Sequence, residues 1–265
     1  MKYVKSLIVM LVIAVLFIPM PAVATSPNVF ALPETPFSVD DFEVVWEYAA
    51  RTRKNIIQLH YDLPYNHEIR NYFRTTLNQT NIRCRNRNPE LYGYVIAKGW
   101  GIENATKKGF DLVVTFEPID ETVTPAMLDI ADAVAQRIRA NLYSFGVLTP
   151  DMSDREKARI YTIWVAENVV YKKEPSAICH TAYSAFVRHS GVCDAYVAAL
   201  QTLLRLEGIE CSGMVGDAGW NTLHAWTRAK LDGEWLNIDP CWYERINDKY
   251  FAVPDKEFFR HHIPN

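Results

Sequence analysis

The sequence predicts an α+β protein in which a buried helix packs against an antiparallel sheet, preceded by a smaller α+β domain. Three observations support this prediction. Residues 196–207 are apolar on most helical faces, which is typical of a helix at the centre of a domain. Two β-rich runs, 222–231 and 235–239, are separated by a stretch that contains Asp232-Gly233, a strong hairpin signal. Upstream, helical and strand-like runs alternate between residues 38 and 142.

Residues 1–24 have the three parts of a secretory signal peptide. Lys2 and Lys5 precede an apolar run over residues 7–18, and Ala22-Val23-Ala24 forms a small-residue cleavage site. The run is short for a membrane span and is followed by two prolines, so a retained anchor is the less favoured alternative. The protein is therefore expected to be secreted or extracytoplasmic, with no membrane span after signal removal.

The charge and composition limit the partners that the protein can have. The formal net charge is −3, and it becomes −5 without residues 1–24, which hold two lysines and no acidic residue. There is no basic stripe, and this argues against nucleic acid or an anionic membrane as partner. With 49% hydrophobic and 12% aromatic residues, the chain can bury a sizeable core in one or two domains.

The remaining chain divides into a linker and two domains. Residues 25–37 contain three prolines and are predicted to be a linker, followed by an N-terminal domain of unknown role over 38–148. The C-terminal domain is predicted to span 149–265 and to begin with a helix whose capping box is Ser153 and Glu156. The expected N-terminal elements are a helix capped at Ser38, a strand at 56–61, a polar helix at 67–77, β-rich runs at 91–102 and 110–116, and an amphipathic helix at 126–142.

Cys193 lies at the mouth of the buried helix, just after Gly191-Val192, and Gly208 is placed to end that helix. A core cysteine is more usual inside a helix or strand. In the first turn, unpaired N–H groups and the positive end of the helix dipole favour a thiolate. Cys193 is therefore the candidate nucleophile.

The predicted hairpin supplies a base and a group to orient it. If Asp232-Gly233 is the loop, Leu231 faces Glu234, and the same register puts His224 and Asp239 on one face. A histidine hydrogen-bonded to a carboxylate, with Cys193 as third member, forms a nucleophile, base and orienter set. Taken alone, these residues could be a core cysteine, a surface histidine and a turn aspartate. Their placement together favours a catalytic set.

The sequence around these residues resembles the transglutaminase-like superfamily of cysteine enzymes, as an exported bacterial-type member. The resemblance covers roughly residues 150–245, and its matching segments are 191–196, 203–209, 224–226 and 233–240. It implies a papain-like Cys-His-Asp triad, on a helix packed against an antiparallel sheet. Cys241 departs from the pattern, because the family more often has a small polar residue after Asp-Pro.

Three aromatic residues are weaker site candidates. Tyr183 precedes Cys193 by ten residues, and its hydroxyl could contribute to an oxyanion hole; a packed aromatic is the alternative. Trp220 and Trp226 flank His224 and could line a substrate cleft, although tryptophans in such positions are more often core.

The five cysteines allow several arrangements. Two disulfides among Cys84, Cys179, Cys211 and Cys241 would leave Cys193 free, and a buried unpaired thiol at Cys211 is equally compatible with the sequence. No Cys-x-x-Cys pair and no acidic calcium-binding loop is present, so neither a metal nor another cofactor is predicted.

Cys241 is also a candidate redox partner of the nucleophile. Extending the hairpin register places Cys241 opposite His224, where Cys193 must also lie, although Pro240 makes this placement approximate. A reversible Cys193–Cys241 disulfide would then silence the site under mild oxidation. A permanent disulfide from Cys241 to another cysteine is the competing possibility.

The triad predicts cysteine-dependent acyl transfer on amide bonds of proteins or peptides, through a thioester at Cys193. Water as acceptor gives hydrolysis, and an amine gives transamidation. The expected partners are protein or peptide substrates, cell-envelope peptides among them. The alternative is a non-catalytic exported module that keeps the fold for binding or assembly; an intact set of three reactive residues favours the enzyme.

Overall fold

A computed structural model describes residues 37–52, 54–87, 96–117, 122–219, 222–243, 246 and 248–264. The predicted signal peptide, all but the last residue of the predicted linker, and Trp220 lie outside these ranges. The chain forms two compact units, one ending at Pro125 and the other beginning at Ala126. Within the described ranges, no helix combines the length and the apolar character that crossing a membrane requires.

The N-terminal unit is a three-stranded antiparallel sheet with two helices. The sheet order is β1-β3-β2. Buried and exposed side chains alternate along β1, and the buried ones join a core rich in aromatic rings. The predicted helix at 67–77 continues to Arg87, and residues 91–95 of the first β-rich run lie outside the described ranges. The elements are α1 (Val39–Thr52), β1 (Ile56–Tyr61), α2 (His67–Arg87), β2 (Ile96–Glu103) and β3 (Phe110–Glu117).

The C-terminal unit contains a four-stranded antiparallel sheet of order β8-β7-β6-β9, together with helices and a short parallel pair β4-β5. The fold is therefore α+β, as the sequence predicts. Its elements are α3 (Pro125–Ser144), α4 (Asp154–Asn168), β4 (Val170–Tyr171), a 3₁₀ turn (Ala177–His180), α5 (Ala182–Val187), β5 (Ser190–Gly191), α6 (Cys193–Leu206), β6 (Cys211–Asp217), β7 (Leu223–Leu231), β8 (Glu234–Ile238), α7 (Asp255–Phe258) and β9 (Ile263–Pro264).

Helix α6 lies at the centre of this unit. It packs on β6 and β7 and also against α4 and α5, so nearly every side chain from Ala195 to Leu204 is buried. Gly208 follows its C-terminus with φ +76°, a left-handed conformation that glycine adopts without strain. The all-round apolar sequence of this helix is thus explained by neighbours on every side.

Helix α3 belongs to the C-terminal unit, whereas the sequence analysis assigned it to the N-terminal domain. Its apolar stripe, including Ala135, Ile138 and Leu142, packs into the same core as Tyr161 and Leu203. An amphipathic pattern shows that a helix has a buried face but not which core covers that face. The division at Pro125 rather than near residue 148 follows from this packing.

A buried carboxylate connects α3 and α4 to the C-terminal end of α6. Glu207 accepts hydrogen bonds from Arg139 Nε (2.7 Å), Tyr143 Oη (2.6 Å) and Tyr161 Oη (2.8 Å), and Lys157 Nζ lies 3.6 Å away. Burial alone would raise the pKa of Glu207, but these donors hold it below its ordinary value. The carboxylate therefore remains ionised and fully coordinated inside the protein.

Replacing Glu207 with Gln should destabilise the protein by about 3 kcal/mol at pH 7, because Arg139 and Lys157 lose a buried counter-charge. The folded-state pKa is lowered, so the stabilisation is full above the unfolded value of about 4.3 and is lost as pH falls through the folded value. Urea unfolding of both proteins from pH 7 to pH 3 measures this difference. Glu210→Gln is the control: this exposed residue pairs with Lys230 at the surface and should change stability by about 0.5 kcal/mol or less. An equal effect of the two substitutions would contradict the network.

Candidate active site

Cys193 is the first residue of α6, and the chain before it is held close to its neighbours. Val192 donates its N–H to the Cys179 carbonyl at 2.9 Å. A Cβ on Gly191 would lie 2.5 Å from the Ala195 Cβ and 2.8 Å from the Cys179 oxygen, so this position requires glycine. Val192 provides no side-chain cap, and the Ala195 N–H already donates to the Val192 carbonyl at 2.9 Å. The first-turn N–H groups that lie beside the thiol are therefore those of Cys193 and Asp194.

The hairpin forms in the register that the sequence predicts. Asp232 and Gly233 both have positive φ, +52° and +91°, as a type I′ two-residue turn requires. Leu231 pairs with Glu234, and the ladder continues to the pair Thr227 and Ile238. Beyond Ile238 the regular pairing ends, just before Asp239.

His224 and Asp239 meet at the open end of this hairpin. The His224 Nε2 atom lies 2.8 Å from Asp239 Oδ2, and both side chains are buried. Asp239 Oδ1 accepts the backbone N–H groups of Cys241 (3.0 Å) and Trp242 (3.1 Å). Burial would raise the pKa of Asp239, but hydrogen bonds from His224 and a second histidine, His262, lower it overall. The carboxylate is held ionised and in one orientation.

The Cys193 thiol lies close enough to the same histidine to influence its pKa. Because Nε2 is engaged by Asp239, the ring nitrogen that remains for the thiol is Nδ1. Burial lowers the pKa of His224, but Asp239 and Cys193 outweigh it and raise the pKa to about 9. The imidazolium is therefore the stable form at neutral pH, between two groups that can carry negative charge.

Trp242, one of the tryptophans that the sequence places around His224 and Asp239, and His262, which no sequence pattern indicates, complete the surroundings of His224. The Trp242 ring stacks on the His224 ring, with centroids 4.5 Å apart and planes at 21°, and 36% of Trp242 is exposed. His262 is fully buried, and its Nε2 lies 3.2 Å from Asp239 Oδ2. Trp242 was one of several tryptophans near the motif. His262 comes from the C-terminal segment, and only the pairing of β9 with β6 brings it here.

A Cβ on Gly216 would lie 2.0 Å from the Ile263 carbonyl oxygen. The glycine of β6 is thus what lets the C-terminal strand approach closely enough to carry His262 to Asp239.

His224, Asp239 and His262 are also the one group of three histidine, cysteine or acidic side chains, within the described ranges, that brings metal-ligating atoms together. These atoms lie within 4.8 Å of one another. Both imidazoles already share one oxygen of Asp239 in hydrogen bonds. The contacts are therefore accounted for by a hydrogen-bond network.

The remaining sequence candidates lie in different surroundings. Tyr183 packs half-buried against the core of the C-terminal unit, and none of the hydrogen bonds between described residues joins it to Cys193. Trp226 is fully buried and donates its indole N–H to Asn237, so it does not line an open cleft; its β7 position faces the core. Cys179, Cys193, Cys211 and Cys241 are all free thiols.

Cys241 is half-buried beside the site. Burial raises the pKa of its thiol, and the negative charges of Asp239 and Cys193 add to the rise. The ladder does not extend to this residue, because Asp239 Oδ1 takes its N–H in a turn. Trp242, rather than Cys241, therefore lies over the His224 ring.

A second histidine–carboxylate pair lies next to the nucleophile. His180 Nδ1 is 2.6 Å from Asp194 Oδ2, and both side chains are partly exposed. Asp194 directly follows Cys193 in the first turn of α6, where a carboxylate is favoured by the helix dipole. The pair connects the 3₁₀ turn to the start of the helix.

The site combines a thiol at a helix start with a buried histidine–carboxylate pair in an α+β fold. Residues 128–240 match the family model described as the transglutaminase-like superfamily. The matched region includes Cys193, His224 and Asp239.

Among solved structures, the similar chains include one described as a TGase, at 12% identity and TM-score 0.41, covering 81% of this chain and 61% of that one. Two others are described as "putative" proteases. The cysteine protease from Cytophaga hutchinsonii has 16% identity and TM-score 0.35, with 56% and 59% coverage. The protease from Parabacteroides distasonis ATCC 8503 has 16% identity and TM-score 0.28, with 55% and 36% coverage. This chain spans less than two thirds of each of them, and comparison with curated proteins gave no match.

Replacing Asp239 with Asn should lower the pKa of His224 by about 1 to 2 units, because the charge that favours the imidazolium is lost while burial remains. In the wild type, the stabilisation from this imidazolium is full below about pH 6.5 and is lost as pH rises through about 9. Ring-proton chemical shifts followed from pH 5 to pH 10 measure the change. The exposed His261, which lies outside this network, serves as the internal reference for the chemical shifts. An unchanged His224 titration in the variant would rule out the coupling.

Mild oxidation with hydrogen peroxide should join Cys193 to Cys241. Peroxide converts the Cys193 thiolate to a sulfenic acid, and the Cys241 thiol then displaces hydroxide, which leaves as water after protonation. Peptide mapping without reductant identifies the bond, and dithiothreitol should reverse it. A bond from Cys241 to Cys179, Cys211 or Cys84 would exclude this pairing.

Proposed function

We propose that this protein is a cysteine-dependent acyl-transfer enzyme acting on amide bonds of proteins or peptides. The observation that carries the proposal is the buried hydrogen bond between His224 and Asp239 at 2.8 Å, with the Cys193 thiol at the start of α6 close enough to raise the pKa of the same imidazole. The transglutaminase-like match over residues 128–240 supports the same class of chemistry.

In the first half of the reaction, the Cys193 thiolate attacks the carbonyl carbon of the amide. A carbon–sulfur bond forms, and the carbonyl oxygen takes up negative charge as a tetrahedral adduct. The N–H groups of Cys193 and Asp194, together with the dipole of α6, are the donors that would stabilise that charge. His224 then gives its proton to the nitrogen, the carbon–nitrogen bond breaks, and ammonia or an amine leaves a thioester on Cys193.

In the second half, the neutral imidazole of His224 takes a proton from the acceptor as it attacks the thioester. Water yields a carboxylic acid, and a primary amine yields a new amide; either returns the thiolate–imidazolium pair. Asp239 keeps the ring oriented and compensates its charge throughout. Trp242, stacked on His224 and partly exposed, shields one face of the ring from water, which favours an amine acceptor.

The alternative is a binding or assembly module that keeps the fold without catalysis. The surroundings of Asp239 argue against it, because this carboxylate bonds to a histidine that lies next to the Cys193 thiol, whereas the partners of the structural carboxylate Glu207 are arginine, lysine and tyrosine side chains. The enzyme and the binding module differ in the expected reactivity of the Cys193 thiol, which is high only in the enzyme.

Iodoacetamide alkylation at pH 6 tests the reactive thiol, and two assays test turnover. Monodansylcadaverine incorporation into N,N-dimethylcasein reports transamidation, and ammonia release reports hydrolysis. Cys193→Ala should reduce turnover about 10³-fold or more with little change in thermal unfolding, and His224→Gln should also slow alkylation of Cys193. The loss of turnover in Cys193→Ala follows from loss of the nucleophile. The slower alkylation in His224→Gln follows from loss of the imidazolium that stabilises the thiolate.

Cys211→Ala is the matched control, because Cys211 is a free thiol at the start of β6 whose sulfur donates to the Gln201 carbonyl at 3.9 Å. It should leave turnover and Cys193 alkylation unchanged. If Cys193 reacts no faster than Cys211, or if turnover survives in Cys193→Ala, the enzyme proposal fails and the binding module is favoured.

A further inference from the structure

Asp239 bonds to two histidines, His224 and His262, and only His224 lies next to the Cys193 thiol. His262 Nε2 lies 3.2 Å from the same oxygen, Oδ2, that His224 contacts at 2.8 Å. A carboxylate oxygen accepts, so His262 donates from Nε2. Its other ring nitrogen, Nδ1, is buried and has no hydrogen-bond partner. A bare lone pair there is less costly than an unpaired N–H, so the contacts assign the neutral Nε2–H tautomer to His262.

The surroundings of His262 hold this ring in place. It stacks on Phe258 with centroids 4.2 Å apart, and its edge meets the rings of Trp226 (5.3 Å), Trp242 (5.1 Å) and Tyr250 (5.5 Å). Its backbone N–H bonds to the Phe258 carbonyl at 3.1 Å. An imidazole fixed on so many sides is poorly placed to rotate away from Asp239.

We propose that His262 is a positioning residue of the active site, which fixes Asp239 and keeps it ionised so that Asp239 can hold His224. This inference rests on the proposed function, since it concerns the same thiol chemistry. In this proposal the C-terminal segment belongs to the active site, because the close contact of β9 with Gly216 brings His262 to Asp239.

The physical basis is the cost of a buried carboxylate. Asp239 is fully buried, and an ion in such a position needs its oxygens satisfied by donors. Oδ1 has two backbone N–H groups, and Oδ2 has the two imidazoles. Removing the His262 donor leaves Oδ2 with His224 alone, so Asp239 takes up a proton at a higher pH and releases the His224 imidazolium.

Among the described residues, few titratable groups lie next to His262 and Asp239. His262 is bordered by Asp239, His224 and Tyr250. Asp239 is bordered by the two histidines and by the Cys241 thiol, and His224 by Asp239 and Cys193. The pKa of Cys241 is raised, so this thiol stays neutral, and the acid side of the alkylation profile reports protonation of the Cys193, His224 and Asp239 group as a whole.

The experiment measures iodoacetamide alkylation of Cys193 in the full chain from pH 4 to pH 8, with EDTA present. His262→Leu removes the donor with an apolar side chain of similar size. His262→Gln restores an N–H donor at about the Nε2 position. His261→Asn, at the exposed neighbouring residue, is the matched control. Thermal unfolding of every variant is recorded alongside.

His262→Leu should slow alkylation about tenfold at pH 6 and move the acid limb upward by about one pH unit. His262→Gln should return the rate to within about threefold of wild type, and His261→Asn should match wild type. A residue with a purely structural role would lower the unfolding temperature without moving the acid limb, and that result overturns the inference. If Cys193 is unreactive in the wild type, it is the proposed function that fails.

A second measurement does not depend on the variants folding. In the wild-type chain labelled with ¹⁵N-histidine, the His262 ring is assigned through its contact with the Phe258 ring. A proton on Nε2 of His262 at pH 7 supports the inference. An Nδ1–H tautomer, which leaves Nε2 with no proton to donate to Asp239, overturns it.

Discussion

The C-terminal unit depends on one buried carboxylate, Asp239. An ionised group without exposed surface is stable only if all its oxygens are coordinated, and four donors do this here: two imidazoles and two backbone N–H groups. Those donors come from β7, from the turn after β8 and from the C-terminal segment. The need to coordinate one charge therefore joins three separate stretches of the chain at the place where His224 meets Cys193.

A second buried carboxylate organises the opposite end of α6. Glu207 gathers Arg139, Tyr143 and Tyr161 around the last turn of the helix, whereas Cys193 stands at its first residue. Between these two ends the helix is held by apolar packing, with Leu200 and Leu203 fully buried, and by a hydrogen bond from the Tyr196 hydroxyl to the Val169 carbonyl at 2.6 Å. Because packing on all sides fixes the axis of α6, the thiol is presented to His224 from a rigid element rather than from a loop.

The edge and the face of the His224 ring have different surroundings. The Nε2 atom at the edge bonds to Asp239, while the face is stacked on Trp242, which is itself partly exposed to solvent. A pKa near 9 keeps the ring charged at neutral pH, so the imidazolium is ready to protonate a leaving amine. In the proposed function, Trp242 shields the His224 imidazolium that donates the proton, while the Cys193 thiol stays accessible to a substrate.

The sequence by itself determined the local features. Asp232-Gly233 fixed the hairpin register, because both turn residues adopt positive φ, and the register carried His224 and Asp239 to one face. The apolar faces of 196–207 fixed the burial of α6, and Ser153 and Glu156 formed the predicted capping box. Only the tertiary structure decided which core α3 would join, that Trp226 faces inward while Trp242 covers His224, and that His262 reaches Asp239. Periodicity and turn chemistry act between near neighbours in the chain, whereas the approach of β9 to Gly216 depends on space that only the assembled sheet defines.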